Sequence, residues 1–279
     1  MMNTRLRKLV EDFSRHKDID AFLLVNDSNI RYLTKFQACE SWLLVTKNKA
    51  FYITDSRYVL EARKGLVGVS VKQYSRVPCT VIYQLCKEYK IKRLGFDEKH
   101  TSFALWKKIK EACPVKTKLV PVSGLVEPLR EIKETEEVEH IKNCLKVHFK
   151  AIDYVKKVVR PGVTERQIAM KLEQFIKSHG AELSFEPIIA SGPNSCYPHA
   201  KVTDRQIRNN EGVLLDFGVE LNGYKSDLTR NIFLGRIPSF QKQVFDANFM
   251  RIGIPNTFIL SEATPSFTYL AQASTEGTT

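Results

Sequence analysis

Two aspartates that flank a tight turn are the residues of this 279-residue chain whose types and spacing point most directly to chemistry. Asp216 lies in the run LLDFG, Asp227 lies in SDLTR, and Asn222 and Gly223 lie between them. Asn-Gly between apolar runs predicts a hairpin with a two-residue turn, because a type I′ turn needs positive φ at both central residues. The sequence therefore predicts two antiparallel strands with one aspartate on each.

The two-residue turn also predicts the register of this hairpin. The expected pairs across the strands are Leu221 with Tyr224, Glu220 with Lys225, Gly218 with Asp227, and Asp216 with Thr229. Because side chains alternate between the faces of a strand, one face should carry Asp216, Gly218, Glu220, Lys225, Asp227, Thr229 and Asn231. The other face should carry Val213, Leu215, Phe217, Val219, Tyr224, Leu228 and Ile232. Gly218 is expected to leave room between the two carboxylates.

The predicted pairing makes Asp216 and Asp227 diagonal neighbours, roughly 7 Å apart at the backbone. Two carboxylates within apolar strands repel each other and are costly to desolvate unless a cation joins them. A hard divalent ion, or a pair of ions about 3.5 to 4 Å apart, would resolve that conflict. The alternative is that both aspartates only reach solvent or cap turns at strand ends, and the hairpin alone leaves both interpretations open.

The elements that would position these residues fall into two parts. Over the first ~125 residues, β-rich runs such as AFLLV, SWLLVT, AFYIT, GVSVKQY and RLGFD alternate with helical stretches, which predicts an α/β domain with a mixed sheet. The connector PVSGLVEPLR then leads to a long helix. Its predicted apolar face consists of Val138, Ile141, Leu145, Phe149, Ile152 and Val155. Thr164 and Gln167 form a capping-box signature for a second helix, which Gly180 can end.

Among the histidines, His199 is the candidate functional residue. It lies in PNSCYPH, a loop rich in Pro and Asn just before the hairpin, and loops held by a rigid scaffold often carry function. His140 and His148 lie two helical turns apart on the long helix beside several glutamates, so we expect a solvated charged face there. His100 and His179 show no sequence signal of a site.

Composition excludes several classes of protein. The six cysteines form no C-x-x-C pair, which favours reduced thiols over zinc clusters or disulfides. The net charge of +12 is concentrated in the first 128 residues, but its bases are scattered singly or in pairs, so a solvated lysine-rich surface is expected and nucleic-acid binding is not. No apolar run approaches the ~20 residues of a membrane span, and no leader is evident, so we expect a cytoplasmic protein without membrane association.

The sequence resembles a known enzyme family over residues 1 to about 246. The run SFEPIIASGPNSCYPHAKVTDRQI, followed by NNEGVLLDFGVELNGYKSDLTRNIF, resembles the Xaa-Pro aminopeptidases of the creatinase, prolidase and methionine aminopeptidase superfamily. NIRYLTKF, YITDSRYVLEAR, LGFDEKHTSF and LREIKETEEVEHIK resemble the same family. The resemblance implies a creatinase N-terminal-like domain over 1–125, an α+β pita-bread metallopeptidase domain over 129–246 of which only the first half is present, and a divergent tail over 247–279.

The same resemblance implies function. Family members hydrolyse the bond before a proline at the second position of a peptide, using two divalent ions, with Mn²⁺ expected and Co²⁺ or Zn²⁺ as alternatives. Five ligands hold these ions: two aspartates, a histidine and two glutamates. Asp216 and Asp227 match the two aspartates, and His199 matches a histidine that contacts the substrate. A homodimer is the expected assembly, and a prolidase-type dipeptidase, a creatinase-like hydrolase and a non-catalytic peptide-binding module remain alternatives.

The three remaining family ligands have no match in this sequence. No histidine follows His199, and the only acids after Asp227 are Asp246, Glu262 and Glu276. Beyond KQVFDA the chain becomes poor in charge and rich in Thr and Ser. We therefore expect a truncated or frame-shifted product with an incomplete metal site, the alternative being a genuinely divergent end.

Overall fold

The computed structural model describes residues 2–16, 18–37, 39–237, 239–240, 242–243 and 257–260. The chain divides into two compact units, Met1–Lys133 and Glu134–Thr279, and each is described separately below. In the described part of the chain, no helix has the length and apolar character needed to cross a membrane.

The first unit is built on a six-stranded mixed sheet, as the alternation of β-rich and helical runs predicts. Its strands are β1 (Ala21–Leu24), β2 (Trp42–Thr46), β3 (Ala50–Thr54), β4 (Ser70–Gln73), β5 (Arg93–Asp97) and β6 (Lys118–Val122). The spatial order is β4-β3-β2-β1-β5-β6. β2 is antiparallel to both of its neighbours, whereas β4, β5 and β6 join through parallel pairings.

Helices complete the first unit and bury both faces of this sheet. They are α1 (Thr4–His16), α2 (Asp27–Thr34), α3 (Val59–Gly65), α4 (Cys79–Glu88), α5 (Phe103–Ala112) and α6 (Glu127–Glu131). Alternate residues of β1 enter different apolar clusters: Phe22 and Leu24 pack in one, and Ala21 and Leu23 in the other. A strand buried on both faces reads as a continuous apolar run, which explains the AFLL sequence.

The strand β6 is an addition to the sequence-based prediction, which assigned part of it to a connector. β6 contains Pro121 and lies at one edge of the sheet, paired only with β5 among the described strands. Proline lacks the backbone N–H that an inner strand must donate, so an edge is the position in a sheet that tolerates it. The predicted connector PVSGLVEPLR was therefore wrong at its start, because Pro121 and Val122 belong to β6.

The named elements of the second unit, among the residues that the structure describes, are helices, a 3₁₀ turn and a group of short strands. The helical segments are α7 (Thr135–Val158), α8 (Glu165–Ser178) and a 3₁₀ turn at Gly192–Cys196. The strands are β7 (Glu182–Leu183), β8 (Ile188–Ser191), β9 (Gly212–Phe217), β10 (Val219–Leu221), β11 (Tyr224–Lys225), β12 (Leu228–Leu234) and β13 (Thr257–Leu260). One sheet has the order β11-β10-β7 and the other β13-β12-β9-β8. Most of the predicted tail, 247–279, lies outside the described residues; its segment 257–260 forms β13.

The buried face of α7 is rotated from the predicted one. Ile152 and Val155 are buried as expected, but Val138 and Phe149 are exposed, at 38% and 48%. Cys144, His148 and Ala151 occupy the buried face instead and are 0% exposed. The prediction ranked these residues below larger apolar ones, yet a small thiol and an imidazole with a hydrogen-bond partner can both be buried.

The second helix follows its prediction closely. The Thr164 hydroxyl accepts from the Gln167 amide at 3.1 Å and the Gln167 side chain accepts from the Thr164 amide at 3.0 Å, which completes the predicted capping box. Ile168, Leu172 and Ile176 are fully buried. The helix ends at Ser178, and Gly180 follows it with φ of +71°.

Candidate metal half-site

The hairpin that carries the two aspartates has the predicted turn and register. Asn222 and Gly223 have φ of +53° and +79°, as a type I′ turn requires. The observed pairs include Leu221 with Tyr224, Glu220 with Lys225 and Asp216 with Thr229. Each of these pairs is a predicted one, so the two-residue turn did determine the alignment of the strands.

Burial alternates along both strands in the same way. Val213, Leu215, Phe217 and Val219 are 0% exposed and pack in the core of the second unit. Asp216 lies on the opposite face and is half-buried, and Asp227 and Thr229 are exposed. Both carboxylates therefore lie on the face of the hairpin that points away from this core, which agrees with the predicted polar face.

Asp216 is held by its cross-strand partner. The Thr229 hydroxyl donates to Asp216 Oδ1 at 2.8 Å, which leaves Oδ2 for another ligand. Arg230 in turn donates from Nη1 to the Thr229 carbonyl at 2.8 Å. Carboxylate oxygens on a solvent-facing strand are suitable donors for a hard divalent cation. Two such ligands, however, are fewer than the three or more protein ligands of an ordinary catalytic metal site.

The space beside Gly218 is not the open room that the sequence suggested. A Cβ atom on Gly218 would overlap the Ser184 hydroxyl and the Ser226 carbonyl and would lie 2.8 Å from the Phe185 ring. The Ser184 amide donates to the Gly218 carbonyl at 3.0 Å, so the chain after β7 packs directly against this residue. Glycine is required here for close backbone packing, and the expectation of space reserved between the carboxylates was wrong.

The loop that carries His199 is anchored by one buried carboxylate. Glu165, the first residue of α8, is 0% exposed. Its Oε1 accepts from the backbone and hydroxyl of Ser191 at 2.7 and 2.8 Å, and its Oε2 accepts from the backbone and hydroxyl of Thr203 at 3.1 and 2.6 Å. Asn194 also donates to it at 3.2 Å. Burial raises the pKa of Glu165, but these hydrogen bonds outweigh burial and hold the pKa below its ordinary value.

An ion pair braces the start of the same loop. Arg205 and Glu211 form two parallel hydrogen bonds, Nη1 to Oε1 at 2.7 Å and Nη2 to Oε2 at 2.6 Å. A Cβ atom on Gly192 would lie 2.5 Å from Glu211 Oε2, and Gly192 has φ of +49°. The glycine of the ASGPNS run is therefore needed both for its backbone conformation and for this close approach.

His199 itself is exposed at the far end of this loop, next to the buried Ala200. Among the described residues, the only group of three or more His, Cys, Asp or Glu ligands whose donor atoms all lie within 4.8 Å consists of Asp97, His100 and Glu127. His199, Asp216 and Asp227 do not form such a group. The structure thus places the two aspartates on one hairpin face, as predicted, and does not bring His199 into the same cluster.

The sequence did not predict that His148 packs against the buried face of the hairpin. His148 was expected on a solvated face, yet it is 0% exposed and stacks on Phe217, with ring centroids 4.2 Å apart and an interplanar angle of 15°. Its Nδ1 lies 3.0 Å from the Ser226 hydroxyl, the residue before Asp227. Burial, and to a smaller extent the charge of Arg230, lowers the pKa of His148 to about 4. No local sequence signal links His148 to Ser226, because the two residues lie 78 positions apart.

Comparison with known proteins agrees with this architecture. Residues 5–132 match the creatinase/prolidase N-terminal domain, and residues 139–248 match metallopeptidase family M24. The chain is 31% identical to a putative Xaa-Pro aminopeptidase of Mycoplasma pneumoniae over 259 residues, which cover 90% of this chain and 70% of that protein. It is also 31% identical to an uncharacterized peptidase of Bacillus subtilis over 232 residues.

A solved structure shows the same fold. An Xaa-Pro dipeptidase from Bacillus anthracis superposes with a TM-score of 0.81 at 33% identity, covering 87% of this chain and 68% of that one. The chain spans 65% of the length of the Bacillus subtilis peptidase, so it corresponds to about two thirds of its relatives. A divalent metal is implied by the metallopeptidase family itself. From its two domain matches and these relatives, the chain belongs to metallopeptidase family M24, with a creatinase/prolidase N-terminal domain preceding an M24 pita-bread domain.

Proposed function

We propose that this chain represents a metal-dependent peptidase that releases an N-terminal residue preceding proline. The observation that carries the proposal is the placement of Asp216 and Asp227 on one solvent-facing side of a hairpin whose other side is core. Support comes from relatives named as a putative Xaa-Pro aminopeptidase and as Xaa-Pro dipeptidases. The substrate is then a peptide with proline at its second position.

Asp216 and Asp227 would hold the metal, with Mn²⁺ as the expected ion and Co²⁺ or Zn²⁺ as alternatives. A divalent ion supplies Lewis acidity toward the scissile carbonyl and lowers the pKa of bound water. Thr229 keeps Asp216 in one orientation through its 2.8 Å hydrogen bond. Glu165 holds the loop from which His199 would contact the peptide, since that carboxylate joins Ser191 to Thr203 on either side of the histidine.

The 279 residues supply only part of the ligand set that such a peptidase uses. No histidine follows His199, and only three acids follow Asp227. Two carboxylates do not close the coordination of a catalytic ion, so we expect weak metal binding and little or no turnover by these residues alone. A homodimer remains a prediction from the family resemblance, and a cytoplasmic location remains a prediction from the sequence.

Two other functions remain in competition. A prolidase-type dipeptidase would use the same two aspartates, and the Xaa-Pro dipeptidase relatives support it equally. A non-catalytic peptide-binding module belongs to a different class. Retention of both aspartates and of His199 favours the metal-dependent functions, because a module that only binds peptides has no need of paired carboxylates.

The test compares the chain alone with a chimaera in which residues 1–243 precede the C-terminal part of a full-length Xaa-Pro peptidase. Both are assayed with Mn²⁺ on a tripeptide with proline at position two and on an Xaa-Pro dipeptide. We expect near-background turnover by the chain alone, and tripeptide hydrolysis by the chimaera that is lost in Asp216→Asn and Asp227→Asn. Preference for the dipeptide would favour the prolidase alternative. The proposal would be contradicted if the folded chimaera hydrolysed neither peptide. It would also be contradicted if hydrolysis persisted in the Asp216→Asn and Asp227→Asn variants.

A further inference from the structure

The first unit contains a cluster of metal-ligating side chains that has no part in the proposed peptidase site. Asp97 ends β5, His100 lies in the turn that follows, and Glu127 begins α6. One ligand atom from each residue lies within 4.8 Å of the other two. The first two residues are close in sequence and the third is 27 residues further on, so only folding reveals the group.

Asp97 and His100 form the inner part of this cluster. The Asp97 side chain is 5% exposed, and its Oδ2 lies 2.7 Å from His100 Nδ1. Its Oδ1 accepts from the Lys99 amide at 3.2 Å. The His100 side chain is 35% exposed, so the cluster has one side open to solvent. A buried carboxylate thus faces a histidine that an ion could reach from outside.

Glu127 is fixed in position by a hydrogen bond from a buried asparagine. The buried Asn29 donates from Nδ2 to Glu127 Oε1 at 3.0 Å, and Arg130 donates to Asn29 Oδ1 at 2.8 Å. Glu127 is therefore held in place beside the Asp97 carboxylate.

A further polar group in this turn lacks a partner. Thr101 is 8% exposed, and its hydroxyl is buried without a hydrogen bond to any described residue. The Thr101 amide donates to the Asp97 carbonyl at 3.0 Å, which places this residue in the same turn. A buried hydroxyl without a partner is costly in an apoprotein, and an ordered water on a bound ion would satisfy it.

We propose that Asp97, His100 and Glu127 bind one divalent transition-metal ion of the Zn²⁺ class, at a site separate from Asp216 and Asp227. One imidazole nitrogen with two carboxylate oxygens is a ligand set that Zn²⁺ accepts, and three protein ligands leave a fourth position for water. The ion would link the end of β5 to α6, and through Asn29 to α2.

An ion pair between Asp97 and His100 that needs no metal is the competing explanation for the same contacts. The two explanations differ in measured stoichiometry: a metal site takes up one Zn²⁺ per chain at neutral pH, whereas an ion pair takes up none.

The test is Zn²⁺ titration by calorimetry on the full chain carrying Asp216→Asn and Asp227→Asn, with Cys196→Ser to remove the exposed thiol. We expect one Zn²⁺ per chain and a Kd at least about tenfold weaker after His100→Gln or Glu127→Gln, since each change removes a ligand. His179→Gln is the matched control, because His179 is exposed and outside the cluster; it should leave the Kd unchanged. Far-UV thermal melts check that each variant is folded.

Co²⁺ provides an independent readout for the same variants. Bound to nitrogen and oxygen ligands, it should give visible d–d absorption that disappears in His100→Gln and persists in His179→Gln. Absence of Zn²⁺ binding in the background chain, or binding unchanged in folded Glu127→Gln, would overturn the proposal. The peptidase assay does not enter this result, so either proposal can fail without the other.

Discussion

Thr229 lies directly across the hairpin from Asp216, and its hydroxyl donates to that carboxylate at 2.8 Å. One oxygen of Asp216 is thereby occupied and the side chain is held in a single orientation. Hydrogen bonds of this kind to a ligand carboxylate are common around metal sites and tune their affinity. The register of an Asn-Gly turn thus determines both the position and the orientation of a candidate ligand.

Replacement of Thr229 should therefore weaken metal binding more than it weakens the fold. Thr229→Val removes the hydroxyl, and we expect the Kd for Mn²⁺ to rise about tenfold. The free energy of unfolding should change by less than about 1 kcal/mol, because the residue is exposed and valine suits a strand. Thr229→Ser keeps the donor and serves as the control. Equal Mn²⁺ affinity in the two variants would mean that the hydrogen bond does not orient Asp216.

Glu165 should be important for stability although it lies outside the metal face. Glu165→Gln replaces acceptor oxygens that receive four hydrogen bonds from Ser191 and Thr203, leaving buried donors facing an amide group. We expect a loss of about 3 kcal/mol in the free energy of unfolding, measured in urea. Glu186→Gln changes an exposed carboxylate and should cost under about 0.5 kcal/mol. Similar losses in both variants would contradict the anchoring role.

His148 should make the stability of the chain depend on pH. Its folded pKa of about 4 lies below the ordinary value of 6.5, so the unfolded state binds the proton first as pH falls. The contribution of His148 to the free energy of unfolding is full above about pH 6.5 and decreases as the pH falls toward 4. Below pH 4 this contribution does not change further. Between pH 7 and pH 5 the expected loss is about 2 kcal/mol.

Urea unfolding at pH 7 and pH 5 measures this loss. His148→Leu removes the titrating group. Between pH 7 and pH 5, the free energy of unfolding of this variant should therefore fall by about 2 kcal/mol less than that of the wild type. The exposed His179→Gln should keep the wild-type dependence. An identical pH dependence in the wild type and His148→Leu would show that the imidazole does not remain neutral in the folded state.

Local signals predicted the hairpin, and tertiary packing determined what local signals missed. The Asn222-Gly223 turn sets a register because only a few turn types fit between two strands. The capping box of Thr164 and Gln167 similarly depends on neighbours three residues apart. By contrast, the buried face of α7 depends on Phe217 and Ser226, which receive His148 from 69 and 78 positions away. Helical periodicity carries no information about such partners.

The same distinction explains the cluster in the first unit. His100 lacks any local sequence signal, and Glu127 reaches it only because β5 and the chain before α6 end side by side in the folded sheet. Gly218 shows the same limit: the sequence predicted room beside it, but Ser184 and Phe185, which lie far from it in the chain, fill that space.

Residues 1–133 should fold on their own. The two apolar clusters on either side of the six-stranded sheet are formed entirely within this segment. Residues 1–125, the predicted domain, would lack the buried Val126 and the bond from Asn29 to Glu127. Urea unfolding monitored by circular dichroism should therefore be cooperative for residues 1–133, with a lower midpoint for 1–125. A broad, non-cooperative transition of the longer fragment would contradict an autonomous first domain.

The central claim is that Asp216 and Asp227 share one metal half-site. Mn²⁺ titration followed by electron paramagnetic resonance tests it directly, because the signal of the free aqua ion decreases on binding. We expect weak, roughly millimolar binding that stabilises the chain by about 1.4 kcal/mol at 10 mM metal. Asp216→Asn and Asp227→Asn should each abolish it, whereas Glu220→Gln, which weakens the 3.2 Å pair with Lys225, should not. Mn²⁺ binding that is unchanged in Asp227→Asn would show that the two aspartates do not share a site.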